Sequence, residues 1–336
     1  MTQKRYLSAS AYFKEKFGKK FRRLPIDAGF SCPGRCIYCS SWGSLAYNSF
    51  KIVKSNLEDY NKDINKRFTQ RFSIEQRFFL IKNQIENFLE KNKEFNLESS
   101  EKETTEKSSG KKTLLYLYFQ AFSNTFDTKE NLKKIYDYSL NLAKFDGIFI
   151  GTRPDCIDEE RVKLLADYSK DYDLWLELGL QSAHDRTLKY INRKHTVKDY
   201  ENAVKLLKSY GIKVISHIIV GLYDEKQEDL IETIIFLNNL GVDGIKFHHL
   251  YILPNTQILK YYEKGIQKLL SEEEYIVQVA NALQYLKKQI IIFRLFSDPE
   301  EGFIAPKWHL KKTELLNKFD RYLEENEIWQ GKLWGK

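Results

Sequence analysis

The chain has 336 residues, of which 42% are apolar and 30% charged, with 22 Phe and 21 Tyr. That length allows one large domain or two modest ones, and the composition is too hydrophobic and aromatic for a disordered chain. No window approaches 18 consecutive uncharged apolar residues and the opening MTQKRYLSAS lacks the apolar stretch of a signal peptide, so the expectation is a folded cytoplasmic protein without a membrane span.

The net charge of +8 is unevenly spread: residues 1–35 hold nine Lys or Arg against Glu15 and Asp27, a net +7. Interleaved with Tyr6, Tyr12, Phe13, Phe17 and Phe21, this basic segment suits a polyanion, with cations on phosphates and rings on unpaired bases. An amphipathic helix with Tyr12, Phe13 and Phe17 turned inward accounts for the same pattern. Because the segment immediately precedes the cysteine loop, it is expected near the entrance to the site.

A strand is expected near Arg23–Asp27, and three of the four cysteines follow it in SCPGRCIYCS, as Cys32, Cys36 and Cys39. Cys156 stands apart. Disulfide frameworks do not have this spacing, and clustered thiols in a reducing compartment persist as metal ligands or redox groups. Structural zinc usually takes four ligands, whereas three thiolates on one loop suit a [4Fe-4S] cluster with one iron left open to a chelating ligand.

Further along, Ser73 to Asn92 places apolar residues at helical spacing behind a Ser N-cap. Ser99 to Lys112, SSEKETTEKSSGKK, has nothing to bury and reads as a loop. Beyond it, strand-type runs recur at Leu114–Phe119, Ile148–Gly151, Leu174–Leu180, Val214–Gly221 and Gly244–Leu250, about 30 residues apart as strand plus crossover helix requires. Helical faces between them (Val197, Tyr200, Val204, Leu207; then Leu230, Ile231, Ile234, Ile235, Leu237) end at Gly211 and Gly241. Six βα units make an α/β fold, an open or partial TIM-like barrel, with functional groups at the strand ends. The expected organisation is a basic extension over 1–22, the barrel over 23–262 and an α-rich C-terminal extension over 263–336.

Strand parity and strand ends supply the other candidates. Glu177 and Gln181, four residues apart on one strand, point to one side, as do Lys246 and His248 on the last. A carboxylate facing into a barrel is costly to desolvate, so Glu177 is expected to contact a ligand rather than pair internally. Gln120, Ser123 and Asn124 end the second strand with hydrogen-bonding groups, though such a run is also a turn signature.

At Cys-x3-Cys-x2-Cys, with aromatic Tyr38 before the third cysteine, the sequence resembles the radical S-adenosylmethionine (SAM) superfamily and its partial (β/α)6 barrel. The segments YFKEKFGKKF, DAGFSCP, YFQAFSNT, GTRPDC, ELGLQSAHDRTLKYINRKHT, HIIVGL, DGIKFHHLYIL and IAPKWHL resemble its bacterial YtqA/YhcC branch. That branch is similar to the radical SAM domain of the Elongator catalytic subunit, with TRPD, LGLQS and NRKHT-type elements in common.

The resemblance implies a [4Fe-4S] cluster on Cys32, Cys36 and Cys39, and SAM near Tyr38, Gln120, Ser123, Asn124, Arg153, Asp155, Glu177, Gln181, Arg193 and His248. Lys246 is then a candidate to orient substrate or SAM. Cys156 is either a small buried residue or a thiol that donates hydrogen. The implied chemistry is reductive SAM cleavage to a 5′-deoxyadenosyl radical, with electrons from a donor such as flavodoxin or ferredoxin. The implied substrate is the wobble uridine of tRNA, and with no acyl-transfer region after Lys336 the expected reaction trims a carboxymethylaminomethyl group toward aminomethyluridine. A small metabolite or peptide substrate, and a non-catalytic nucleic-acid module with a metal loop, stand as alternatives. The chain departs from the branch twice: only PGR separates the first two cysteines, and the fifth-strand turn reads Gly221-Leu222-Tyr223-Asp224-Glu225 instead of GLPGE.

Overall fold

The computed structural model describes residues 5–39, 72–92, 113–298 and 302–335. The loop expected at Ser99 to Lys112 lies outside them. Seven parallel strands form one sheet in sequential order: β1 (Lys20–Ile26), β2 (Thr113–Phe119), β3 (Gly147–Thr152), β4 (Asp173–Gln181), β5 (Lys213–Val220), β6 (Gly244–His249) and β7 (Ile291–Arg294). The six expected strands are present. The seventh comes from the segment expected to be α-rich, where a run of only four residues gives a weak sequence signal.

Outside the sheet run α2 (Ile74–Lys91), α3 (Lys129–Leu140), α4 (Glu159–Tyr168), α5 (Asp185–Tyr190), α6 (Val197–Ser209), α7 (Gln227–Leu240), α8 (Gln257–Glu263), α9 (Glu272–Leu283) and α10 (Lys312–Glu325). Their boundaries follow local chemistry. Ser73 caps α2 in a capping box with Gln76, Thr196 does the same for α6 with Asp199, and Gly241 ends α7 in the left-handed conformation at φ 68°. The outward residues of the strands, among them Leu115, Leu117, Ile148, Leu176, Val214 and Ile245, pack under these helices as the main core.

The sheet is curled. Lys246 on β6 reaches Tyr118 on β2 at 3.4 Å, and Arg23 on β1 reaches Glu177 on β4 at 3.4 Å, contacts that a flat sheet with strands about 4.8 Å apart could not make. Inward residues near the strand starts, Tyr116, Phe149, Trp175, Ile215 and Ile291, form a second core.

That second core is plugged from below by α1 (Ala9–Phe17), the first helix of the chain. Phe13 is fully buried and sits 4.1 Å from the ring of Phe21 and 5.3 Å from Tyr116. Tyr12 is half-buried, and Phe17 is exposed rather than turned inward. The basic N-terminal segment therefore belongs to the floor of the barrel and not to its entrance, because the seven residues of β1 carry the chain about 23 Å upward before the cysteine loop begins. Leu7 and Ser8 also pair with Ile292, covering the β7 edge. Among the described residues no helix is long and apolar enough to cross a membrane.

Candidate active site

The cysteine loop leaves β1 at the C-terminal rim of the sheet. Its entry is fixed by Asp27, which accepts from the Gly29 amide at 2.9 Å, and by Arg77 of α2, which donates to the Ala28 carbonyl at 2.9 Å while pairing with buried Asp127. Its exit is pinned by backbone bonds from Ile37 to Ile191 (3.1 Å) and from Ile258 at the start of α8 to Ile37 (2.9 Å). Cys36 is buried, while Cys32 and Cys39 are half-buried.

Two guanidiniums face the buried thiol: Arg193 Nη1 lies 3.5 Å and Arg153 Nη1 3.8 Å from Cys36 Sγ. Burial alone would raise this thiol, but Arg193, Arg153 and a hydrogen bond from Tyr38 outweigh it and hold the thiol below its ordinary value. Each arginine is clamped. Arg153 pairs through two nitrogens with Asp155 (2.8 and 2.9 Å) and donates to the Arg193 carbonyl at 2.6 Å. Arg193 donates to the Gly179 carbonyl at 2.7 Å and, through Nε, to His195 Nε2 at 3.0 Å.

His195, pushed down to about 4 by burial and by Arg193, is neutral; its Nε2 accepts from Arg193 and its Nδ1–H donates to the Thr196 carbonyl at 3.1 Å. Two glycines make room for this arrangement. A Cβ on Gly34 would collide with Arg153 Nη1, and one on Gly179 would collide with Arg193 Nη2 and the Gln181 side-chain amide.

Of the remaining expected residues, Ser123 is buried with its hydroxyl 3.5 Å from Cys32 Sγ. Asn124 uses its amide nitrogen to stitch β2 to β3, donating to the Phe119 and Gly151 carbonyls at 3.0 and 2.8 Å. Gln120 is half-buried at the top of β2, and its backbone amide bonds to the Ile26 carbonyl. Cys156 is buried beside Ser123, with a thiol raised to about 12 chiefly by desolvation, the protonation state of a packing residue or a hydrogen donor.

Glu177 departs from expectation. Instead of being free for a ligand, its oxygens take Tyr118 (2.5 Å), His217 (2.9 Å), Arg23 (3.4 Å) and, at 2.5 and 2.6 Å, the ammonium of fully buried Lys246. Burial would raise this carboxyl, but Lys246 and His217 hold it well below the usual range, so it is ionised. The desolvation that argued against an internal pair is offset because four donors converge on one carboxylate. His248 shares the side of Lys246 as parity required, and stacks on His217 with ring centroids 5.1 Å apart. Tyr118, His217 and Arg23 complete this network without having stood out as site residues in the sequence. Parity pointed to them, since Tyr118 alternates with Leu117 and Phe119, and His217 lies two residues from inward Ile215 on β5.

The thiol loop suits a cluster better than a single ion. Four-coordinate zinc at about 2.3 Å per sulfur draws its thiolates within about 3.8 Å of one another. Among the described residues, the one His/Cys/Asp/Glu trio with all ligand atoms within 4.8 Å is His184, Asp229 and Glu232, so the cysteine trio is spread more widely. Three spread thiols and two guanidiniums to balance thiolate charge match the donor set of a cluster with an open iron.

A partial parallel barrel carrying such a loop at its C-terminal rim defines an iron–sulfur enzyme whose chemistry lies inside the barrel. The chain belongs to the radical SAM superfamily: residues 28–237 match its model and residues 242–325 match the Radical SAM C-terminal domain. Members use a [4Fe-4S] cluster and SAM and need a reductant.

The chain is 34% identical to YtqA of Bacillus subtilis, covering 99% of this chain and 94% of that protein, and 35% identical to YhcC of Escherichia coli, covering 96% and 93%. It is 27% identical to the tRNA uridine(34) acetyltransferase of Methanocaldococcus jannaschii over 53% of this chain and 33% of that one. The archaeal Elp3 structure from Methanocaldococcus infernus superposes with a TM-score of 0.60 at 20% identity, covering 75% of this chain and 60% of that one, a likeness of fold.

Proposed function

We propose that this radical SAM enzyme modifies the wobble uridine of tRNA in the cytoplasm, processing a carboxymethylaminomethyl group at C5 toward aminomethyluridine. The observation that carries the reading is the similarity of half the chain to a tRNA uridine(34) acetyltransferase. The matched part is a third of that protein, so the shared portion supports a common target rather than a common reaction.

With the basic helix on the floor, support for RNA comes from the rim instead. Tyr190, Tyr223 and Tyr261, from the loops and helices after β4, β5 and β6, form an aromatic row with centroids 4.9 and 5.6 Å apart, and exposed Lys189, Lys194, Lys260 and Lys264 lie on the same rim segments. Rings that stack unpaired bases beside cations that meet phosphates are the features expected at a single-stranded RNA site.

When bound, the cluster supplies the electron that splits SAM into methionine and a 5′-deoxyadenosyl radical. Cys32, Cys36 and Cys39 hold it, Arg193 and Arg153 balance thiolate charge, and Ser123, Gln120, Gln181 and Tyr38 line the space beside it. Glu177 and Lys246 fix the wall below. Cys156, a protonated thiol beside Ser123, has the S–H bond a hydrogen donor needs.

Nucleoside mass spectrometry of tRNA from a strain lacking this protein tests the reading. Accumulated carboxymethylaminomethyluridine with loss of its aminomethyl products is the expected result. Unchanged wobble nucleosides would leave a small metabolite or peptide as substrate.

A further inference from the structure

The inner wall of the barrel carries more positive charge than the protein balances. Along one cross-strand row, Gly179 on β4 pairs with His217 on β5, His217 with Lys246 on β6, and Lys246 with Arg294 on β7. Residues paired across adjacent strands face the same side, so Arg294 points inward with Lys246.

A bulge is what turns it there. Ile245 pairs with Ile292 but Lys246 pairs with Arg294, leaving Phe293 as the extra residue. The ring of Phe293 packs inside against Trp175 at 5.3 Å, so two successive side chains enter the barrel where simple alternation would send Arg294 out. Bulges that re-aim a side chain concentrate beside active sites.

Arg23, Lys246 and Arg294 thus face one carboxylate, Glu177, whose oxygens are already shared among Arg23, Lys246 and neutral donors. Among the described residues no carboxylate lies within 4.0 Å of the half-buried Arg294 guanidinium. On the same inner wall, His248 Nε2 is buried without a hydrogen-bond partner. The row begins at Gly179, whose carbonyl binds Arg193 at the thiol site and whose missing side chain makes room for the Arg193 guanidinium and the Gln181 amide. A ligand beside the cysteines can extend along it toward β7.

We propose that Arg294 binds the carboxylate of a ligand in the barrel, through the two-nitrogen fork that guanidinium offers a carboxylate. The carboxylate belongs either to SAM or to the substrate. The inference takes the barrel as the cavity of a radical SAM enzyme and does not require the substrate to be tRNA.

The test compares wild type, Arg294→Gln and Arg294→Lys, each with the cluster reconstituted anaerobically. Affinity is measured for SAM and, with SAM present, for 5-carboxymethylaminomethyluridine against 5-aminomethyluridine, which lacks the carboxylate. The Gln variant is expected to weaken one carboxylate ligand at least tenfold, with a smaller loss for Lys, which keeps the charge but not the fork. Weakened SAM binding assigns the anion to the cofactor. A lost preference for the carboxymethyl nucleoside assigns it to the substrate.

Ligand-free Arg294→Gln is also expected to melt higher than wild type, because it relieves an unbalanced cation; a merely structural arginine would melt lower when replaced. Affinities for both carboxylate probes within twofold of wild type overturn the inference, whatever the melting temperature does. If wild type binds neither nucleoside, the SAM arm alone decides the role of Arg294, and unchanged SAM affinity in Arg294→Gln then overturns the inference.

Discussion

The two ends of the barrel use the same inward-facing positions in opposite ways. At the floor they carry Tyr116, Phe149 and Trp175, packed ring against ring and sealed by Phe13 of α1; at the rim the loops after the strands bring thiols and guanidiniums together. Between them lies the Glu177–Lys246 network. Large rings at one end and thiols with paired guanidiniums at the other give a single sheet an apolar base and a polar rim, so stability and chemistry are separated along the strand direction. Loss of function without loss of fold is expected from rim substitutions, and the reverse from floor substitutions.

The largest expected effect tests the rim. Replacing Cys32, Cys36 or Cys39 by Ala should take SAM cleavage below detection while leaving the melting temperature of the metal-free protein nearly unchanged, whereas Cys156→Ala should retain its iron. Iron content and 5′-deoxyadenosine release after anaerobic reconstitution check this. Loss of the cluster from the Cys156 variant as well would contradict the three-thiol assignment.

Next in size is the middle layer. Removing one member of a buried ion pair strands the other, so Glu177→Ala should cost about 3–5 kcal/mol in denaturant unfolding, while the Glu177→Gln, Lys246→Met double variant should recover most of it. At the floor, Phe13→Ala removes a fully buried ring and should cost about 3 kcal/mol, with SAM affinity of the folded fraction unchanged. If Phe13→Ala weakened SAM as much as a rim substitution does, the separation of the two ends would be wrong.

Acid should distinguish the ends too. His195, His217 and His249 are each lowered from 6.5 to about 4, chiefly by burial, and all lie in the upper half of the barrel or its wall; the floor core contains no histidine. A histidine that is neutral when folded binds fewer protons than when unfolded, so stability rises with pH from about 4 to about 6.5 and is lost as pH falls through that window. The slope is at most about 1.4 kcal/mol per pH unit for each histidine. Hydrogen exchange should therefore accelerate in the C-terminal halves of β5 and β6 on acidification before it does in α1, and simultaneous opening would show that the ends unfold as one.

Part of this layout is legible in the sequence, and the reasons differ by residue. The cysteine loop announces itself because metal ligation restricts both residue type and spacing, and the six strands do so because a buried parallel strand is a short apolar run at a regular interval. β7 does not, since four residues ending in a bulge carry no period, and Arg294 consequently looks like an ordinary charge. The pairing of Glu177 escapes the sequence because its desolvation is visible there, whereas the donors that strands β1, β2, β5 and β6 bring to it are not. Chain order does place the basic helix at the start of β1 and the cysteine loop at its end, but adjacency in sequence hides that a full strand length separates them.

That last point gives the smallest and sharpest prediction. If RNA enters at the rim, replacing Lys189, Lys194, Lys260 and Lys264 by Gln should lower the salt dependence of tRNA binding by about 0.7 in log–log slope for each phosphate that is no longer neutralised. Replacing Lys14, Lys16, Lys19 and Lys20 on the floor should leave that slope almost unchanged, although it removes the same formal charge. The pairing matters because net charge alone predicts equal losses from both sets, whereas localised phosphate binding predicts a difference. Arg23 does not belong to the floor set, since it lies inside the barrel against Glu177 and over the rings of Tyr118 and Phe149, so its replacement would disturb the wall rather than a surface. Equal losses from the two sets would mean that tRNA senses only the overall field of the protein, and the rim tyrosines would then have to justify an RNA site by themselves; a loss confined to the floor set would put the phosphate contacts on the sealed end, the length of β1 away from the cysteine loop, and would overturn the rim as the RNA entrance.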